Sequence, residues 1–117
     1  MRRGDIRTVD LDLDPARGAE STKTRPAVIV SNDTANATAA RLGRGVVTVV
    51  PVTSNVERVH PFQTFLPAAE TGLARDSKAQ AEQVRAVAID RVGRRLGSLP
   101  PALQADLDRA LRVHLDL

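Results

Sequence analysis

Two short polar segments stand out, because each joins a strongly β-forming run and together they carry the side chains that phosphate chemistry needs. Glu20 to Arg25 precedes the apolar run Ala27-Val28-Ile29-Val30, and Thr53-Ser54-Asn55 follows the β-branched run Val46 to Val52. An arginine beside hydroxyls can clamp a phosphate with paired hydrogen bonds and stabilise the charge that grows on it during transfer. Where that phosphate belongs to RNA, the neighbouring ribose 2′-OH is the nucleophile. The protein then needs only a group that takes the 2′ proton and one that gives a proton to the departing 5′ oxygen. Glu20 and Thr53 are the candidates for that work beside Arg25. A strand-edge arginine paired with a nearby carboxylate gives the same pattern, so the residues alone leave both readings open.

The remaining inventory for catalysis is thin. Cysteine is absent from the chain, which removes disulfide scaffolds, thiolate metal sites and cysteine nucleophiles together. His60 precedes Pro61 in a turn, and His114 lies near the end of the C-terminal helix, where a cation suits the helix dipole. Asp10, Asp12 and Asp14 alternate on the solvent face of a strand, which is ordinary surface chemistry rather than a metal cage. Neither a metal nor a cofactor is expected.

The elements that must hold the two polar segments read as mainly β with short helices. Ile6 to Leu13 alternates as a strand with one wet face, and Ala27 to Val30, opened by Arg25-Pro26, reads as a buried strand. Ser31-Asn32-Asp33 supplies cap chemistry for a short helix over Thr34 to Leu42, ended by Gly43 and Gly45. Val46 to Val52, Phe62 to Leu66 and Lys78 to Ala88 follow as strands. Leu103, Leu107, Ala110, Leu111 and Leu115 then recur at helical spacing behind Pro100-Pro101, giving an amphipathic C-terminal helix. Short strands with one interior and one terminal helix describe a small barrel or curled sheet.

Size and composition fit that frame. A chain of 117 residues, 42% hydrophobic and 26% charged, is expected to form one domain over residues 1–117 with a core that dimerisation would enlarge. Nothing in it reads as a membrane span or a signal peptide, so a cytoplasmic location is expected. Of the 17 cationic residues only Lys23 and Lys78 are lysines, and the net charge is +3. An arginine-rich surface suits phosphate, although a GC-rich genome produces the same excess. Without Trp or Tyr, and with only Phe62 and Phe65, binding by rows of stacked aromatics is not expected.

The sequence also resembles the MazF/PemK family of toxins from bacterial toxin–antitoxin pairs. The likeness rests on Arg3-Gly4-Asp5-Ile6, Asp14-Pro15 with Gly18-Ala19-Glu20, Arg25-Pro26-Ala27-Val28-Ile29-Val30-Ser31, Pro51-Val52-Thr53-Ser54-Asn55 with Pro61-Phe62, and Arg75-Asp76-Ser77 with Ala81-Glu82-Gln83-Val84-Arg85, all in family order. The resemblance implies an SH3-like small β-barrel of the MazF/CcdB type that forms a homodimer. It further implies a metal-independent, sequence-specific endoribonuclease that cuts single-stranded RNA to leave a 2′,3′-cyclic phosphate and a 5′-hydroxyl. Carried over residue by residue, it makes Arg25 and Thr53 catalytic and Glu20 the acidic partner. Lys23, Ser54, Asn55, Ser77, Glu82 and Gln83 are then expected along the RNA path. It implies inhibition by a cognate, acidic MazE-like antitoxin. Arg7 stands where relatives carry an aromatic residue, and the stretch Val9 to Asp14 is two residues longer than the usual form. Two other readings suit the same fold: a toxin that poisons DNA gyrase without cutting RNA, and an inactive relative that binds RNA or antitoxin.

Overall fold

The computed structural model describes residues 1–11 and 24–117. It contains strands β1 (Asp5–Asp10), β2 (Thr24–Ile29), β3 (Val46–Thr53), β4 (Gln63–Leu66), β5 (Ser77–Gln80), β6 (Arg85–Ala88) and β7 (Val92–Ser98). Three helices join them: α1 (Asp33–Leu42), α2 (Ala68–Thr71) and α3 (Pro101–Leu115). Every strand pair is antiparallel, in the order β4-β5-β3-β2-β1-β7, with β6 also on β3. The mainly β reading with a terminal helix therefore holds.

The sheet is buried on both faces, which explains why β2 and β3 read as unbroken apolar runs rather than alternating ones. Val28, Val50 and Val52 pack with Ile6, Leu66 and Ala79 under Leu107 and Ala110 of α3. Ala27, Ile29, Val47 and Val49 pack on the opposite side with Val9, Val87 and Ala39 of α1. Each strand thus feeds its odd and even residues into different cores, and α3 and α1 close the two faces. The helix starts follow from local chemistry. The Asn32 side chain accepts a hydrogen bond from the Ala35 amide, and Pro101 occupies the first turn of α3, where no amide is needed.

Three expectations are corrected. Lys78 to Ala88 is not one strand: β5 and β6 lie along the same edge of β3 but are separated by a 3-10 turn, Ala81–Gln83. Between Val52↔Ala79 and Val49↔Arg85, three steps on β3 face six on the partner, so the turn takes up the three extra residues and shifts the register. The first strand ends at Asp10 with Leu11 irregular, while Asp12 and Leu13 lie outside the described residues. Strand β7 and helix α2 have no counterpart in the sequence reading. Among the described residues, no helix is long and apolar enough to cross a membrane.

Arg3 ties the two ends of the chain together. Its amide donates to Asp33 at the start of α1, its Nε donates to the Val30 carbonyl at 2.9 Å, and its Nη2 donates to Asp108 of α3 at 2.6 Å. Partial burial pushes the Asp108 carboxyl up, but hydrogen bonds from Arg3 and Gln104 and the nearby Arg112 charge outweigh it and hold it below the usual carboxylate range. A group whose folded pKa is depressed contributes stability that is present above its unfolded pKa and lost as pH falls through the folded one. Asp108→Asn is therefore expected to lower the urea midpoint at pH 7. The gap to the parent should narrow as pH drops below about 4. A gap that stays constant down to pH 2 would remove the charged form of Asp108 from the account.

Candidate active site

The site is built where β2 begins and β3 ends. Ala27 pairs with Pro51 across these antiparallel strands, and the same register carried two residues further sets Arg25 opposite Thr53. Both side chains lie at the strand ends, where the sheet opens to solvent, because Pro26 can occupy the start of a strand and Ser54 leaves the ladder. Arg25, Thr53, Ser54 and Ser77 line one cavity of about 530 Å³. Four of the expected residues, spread over 52 positions of sequence from Arg25 to Ser77, are thus brought to one place.

Local hydrogen bonds set the hydroxyls. The Thr53 oxygen accepts the Asn55 amide at 3.2 Å, and the Asn55 side chain in turn accepts the Glu57 amide, so the loop leaving β3 is folded back on itself. With an oxygen lone pair so occupied, the Thr53 O–H remains free to donate to an anion. Ser77 is buried and donates to the Arg75 carbonyl at 3.0 Å, which fixes the backbone entering β5.

The cavity also contains three arginines that the sequence reading did not single out: Arg75 ahead of β5, and Arg94 and Arg95 on β7. Arg95 Nε donates to Asp5, leaving the outer nitrogens of its guanidinium for another acceptor. Among the described residues the lining holds four arginines and no carboxylate, with Pro26, Val52, Leu73 and Leu96 as apolar wall. This is a concave site for an anion that carries an apolar portion. The only sequence signal for Arg94 and Arg95 was their adjacency within a run holding two glycines, and it was masked by the abundance of arginine elsewhere.

The other expected residues stand apart. Glu82 and Gln83 occupy the 3-10 turn beyond the far end of β5 from Ser77 and do not line the cavity. The Glu82 carboxylate accepts Gln63 Nε2 at 2.8 Å, and the Gln63 side-chain oxygen accepts the His60 amide, so this carboxylate braces the start of β4. His60 lies flat against Phe62 with ring centroids 5.0 Å apart, and neither it nor His114 lines the cavity. Glu20 and Lys23 lie outside the described residues.

A small antiparallel sheet covered by a helix on each face, with an arginine- and hydroxyl-lined cavity at the strand ends, defines a mainly β protein with a cationic cleft. Comparison with known proteins gives that class its family. Residues 2–115 match the model for the PemK-like, MazF-like toxin of type II toxin–antitoxin systems, and the chain belongs to this family. It is 62% identical over 117 residues to the endoribonuclease MazF9 of Mycobacterium tuberculosis, covering all of this chain and 98% of that one. Two solved structures share the fold at 24% identity. One is an endoribonuclease from a mycobacterial species, with a TM-score of 0.77 over 100% of this chain and 92% of that one. The other is an endoribonuclease in complex with its cognate antitoxin, also mycobacterial, with a TM-score of 0.75 over 100% of this chain and 96% of that one.

Proposed function

We propose that this endoribonuclease toxin of the MazF type cuts single-stranded RNA at a specific sequence, using the ribose 2′-OH as nucleophile and no metal. The observation that carries the reading is that Arg25 and Thr53, each just beyond the paired part of β2 and β3, line one arginine-rich cavity. The 2′ oxygen attacks the adjacent phosphorus and the bond to the 5′ oxygen breaks, leaving a 2′,3′-cyclic phosphate and a 5′-hydroxyl. Arg25 neutralises the charge that builds on the non-bridging oxygens, and the Thr53 hydroxyl donates to one of them. Glu20, on the segment leading into β2, takes the 2′ proton, and Arg25 joins in the proton transfer by delivering a proton to the departing 5′ oxygen, which leaves as the 5′-hydroxyl. Lys23, Ser54, Asn55 and Ser77 hold the RNA beside the cut. Because the nucleophile is supplied by the substrate, no metal-bound hydroxide is required.

The toxin is proposed to work as a homodimer in the cytoplasm, and to be inhibited by an acidic, MazE-like antitoxin segment laid over the same arginines. A structural neighbour bound to its cognate antitoxin supports that partner.

The test is incubation of purified protein, free of antitoxin, with labelled single-stranded RNA and with DNA of the same sequence, both in EDTA. Discrete RNA fragments with cyclic-phosphate ends and intact DNA are expected. Cleavage that appears only on adding a divalent ion would refute the 2′-OH route.

A further inference from the structure

We infer that the cavity holds two successive phosphates of the RNA, the scissile one at Arg25 and Thr53 and its neighbour at Arg94, Arg95 and Arg75, with the intervening nucleoside on the Leu73–Leu96 wall. The inference rests on the reading of this site as an RNA-cutting one and adds what the cavity selects. A phosphodiester has two non-bridging oxygens that together accept about four to six hydrogen bonds, so about two or three arginine forks saturate it. Four guanidiniums around one cavity are therefore more than a single phosphodiester can engage. Arg95 is paired with Asp5, but Arg25, Arg75 and Arg94 meet no carboxylate among the described lining residues, and their mutual repulsion is relieved when more than one negative charge enters.

The arrangement of the strands points the same way. Arg25 of β2 pairs with Val9 and Arg95 of β7 with Arg7, so their backbones are two strand spacings apart, about 10 Å, and are also offset by two residues along β1. That separation suits neighbouring phosphates better than one. Arg95 is held from behind by Asp5, whose buried carboxylate also accepts the Arg2 amide, so its fork is oriented before any ligand arrives. Arg75 is set by the Ser77 hydroxyl on its carbonyl. Leu73 and Leu96 line the same cavity beside Arg75 and Arg95, and give an unstacked base or ribose an apolar surface that water would otherwise cover.

Binding is tested first, with a fluorescein-labelled 2′-O-methyl RNA of mixed sequence, which cannot be cut. The slope of log affinity against log salt is measured for the parent, for Arg94→Gln, and for Arg94→Gln combined with Arg75→Gln. Complete loss of one phosphate contact should flatten the slope by about 0.7; because both arginines face the same phosphate, the double variant should lose about that much and Arg94→Gln alone a part of it. Arg94→Lys should keep the slope. Arg44→Gln, at the turn before β3 and thus at the opposite end of that strand from Thr53, should not change it. Equal flattening by Arg44→Gln and Arg94→Gln, or none by either, overturns the inference.

Cleavage is the second arm, using minimal substrates of the mapped cut sequence with and without one additional phosphate beside the cut. The extra phosphate is expected to raise kcat/KM about tenfold in the parent and about twofold in Arg94→Gln. No gain in the parent overturns the inference while leaving the ribonuclease reading standing. Loss of salt slope in the variants without cleavage of any RNA would do the reverse.

Discussion

Arg25→Ala is expected to lower RNA cleavage by on the order of 10²–10³-fold while leaving the fold intact. The side chain is exposed at the second residue of β2 and belongs to neither hydrophobic cluster, so its removal opens no hole in the core. On the proposed mechanism, what it loses is the charge aimed at the phosphate oxygens. That contribution is larger in the transition state than in bound substrate, because the negative charge grows as the 2′ oxygen adds. The loss should therefore fall on kcat more than on KM. Arg25→Lys should recover only part, since an ammonium supplies the charge without the planar fork. Thermal melting of the variant alongside the assay separates chemistry from stability. An alanine variant that melts like the parent and cuts at its rate would remove Arg25 from the mechanism.

Gly97→Ala is expected to cost the most stability of any one-methyl change, about 3 kcal/mol, and to lower Tm by on the order of 10 °C. A Cβ placed on Gly97 would lie 1.8 Å from the Thr71 carbonyl oxygen and 3.4 Å from the Gly72 Cα. Both are backbone atoms, so no rotamer change can make room. Strand β7 can pass the end of α2 only because this position has no side chain. The contact also sets the wall of the site, since Gly72, Leu73 and Leu96 around it line the cavity. The variant should lose activity at temperatures where it remains folded, because the segment leading to Arg75 must shift. A calorimetric scan unchanged from the parent would show that α2 moves aside freely.

Arg25 and Thr53 stand out in the sequence because each sits where a polar segment meets an apolar run, and such boundaries are visible in one dimension. Their being opposite each other does not, since register depends on which strands pair. The cores of β2 and β3, the cap at Asn32 and the stripe of α3 were legible for the same local reason. Strand β7 was not: Val92-Gly93-Arg94-Arg95-Leu96-Gly97-Ser98 has two glycines and two arginines, a poor strand by composition. Its glycines are explained only by distant neighbours, Thr71 for Gly97 and Thr8 for Gly93, whose hydroxyl oxygen a Cβ would meet at 2.2 Å. The break between β5 and β6 was hidden because Ala81-Glu82-Gln83 is compatible with either strand or turn, and only the pairing with β3 decides. Arg94 and Arg95 gained meaning once β7 was placed.

The pairing of β1 with β7, Ile6 opposite Gly97, and the grip of Arg3 on Asp108 bear on how the toxin comes into being on the ribosome. The first strand to emerge waits for one of the last, and the face covered by α3 stays open until Leu107 and Ala110 have been made. Contacts this distant in sequence form late and together. A nascent chain that stops before β7 lacks Arg94, Arg95 and Leu96, and with them two of the four arginines that line the cavity. The cavity is thus assembled only when nearly the whole chain has been made, and a truncated product has neither its full lining nor the closed core behind it.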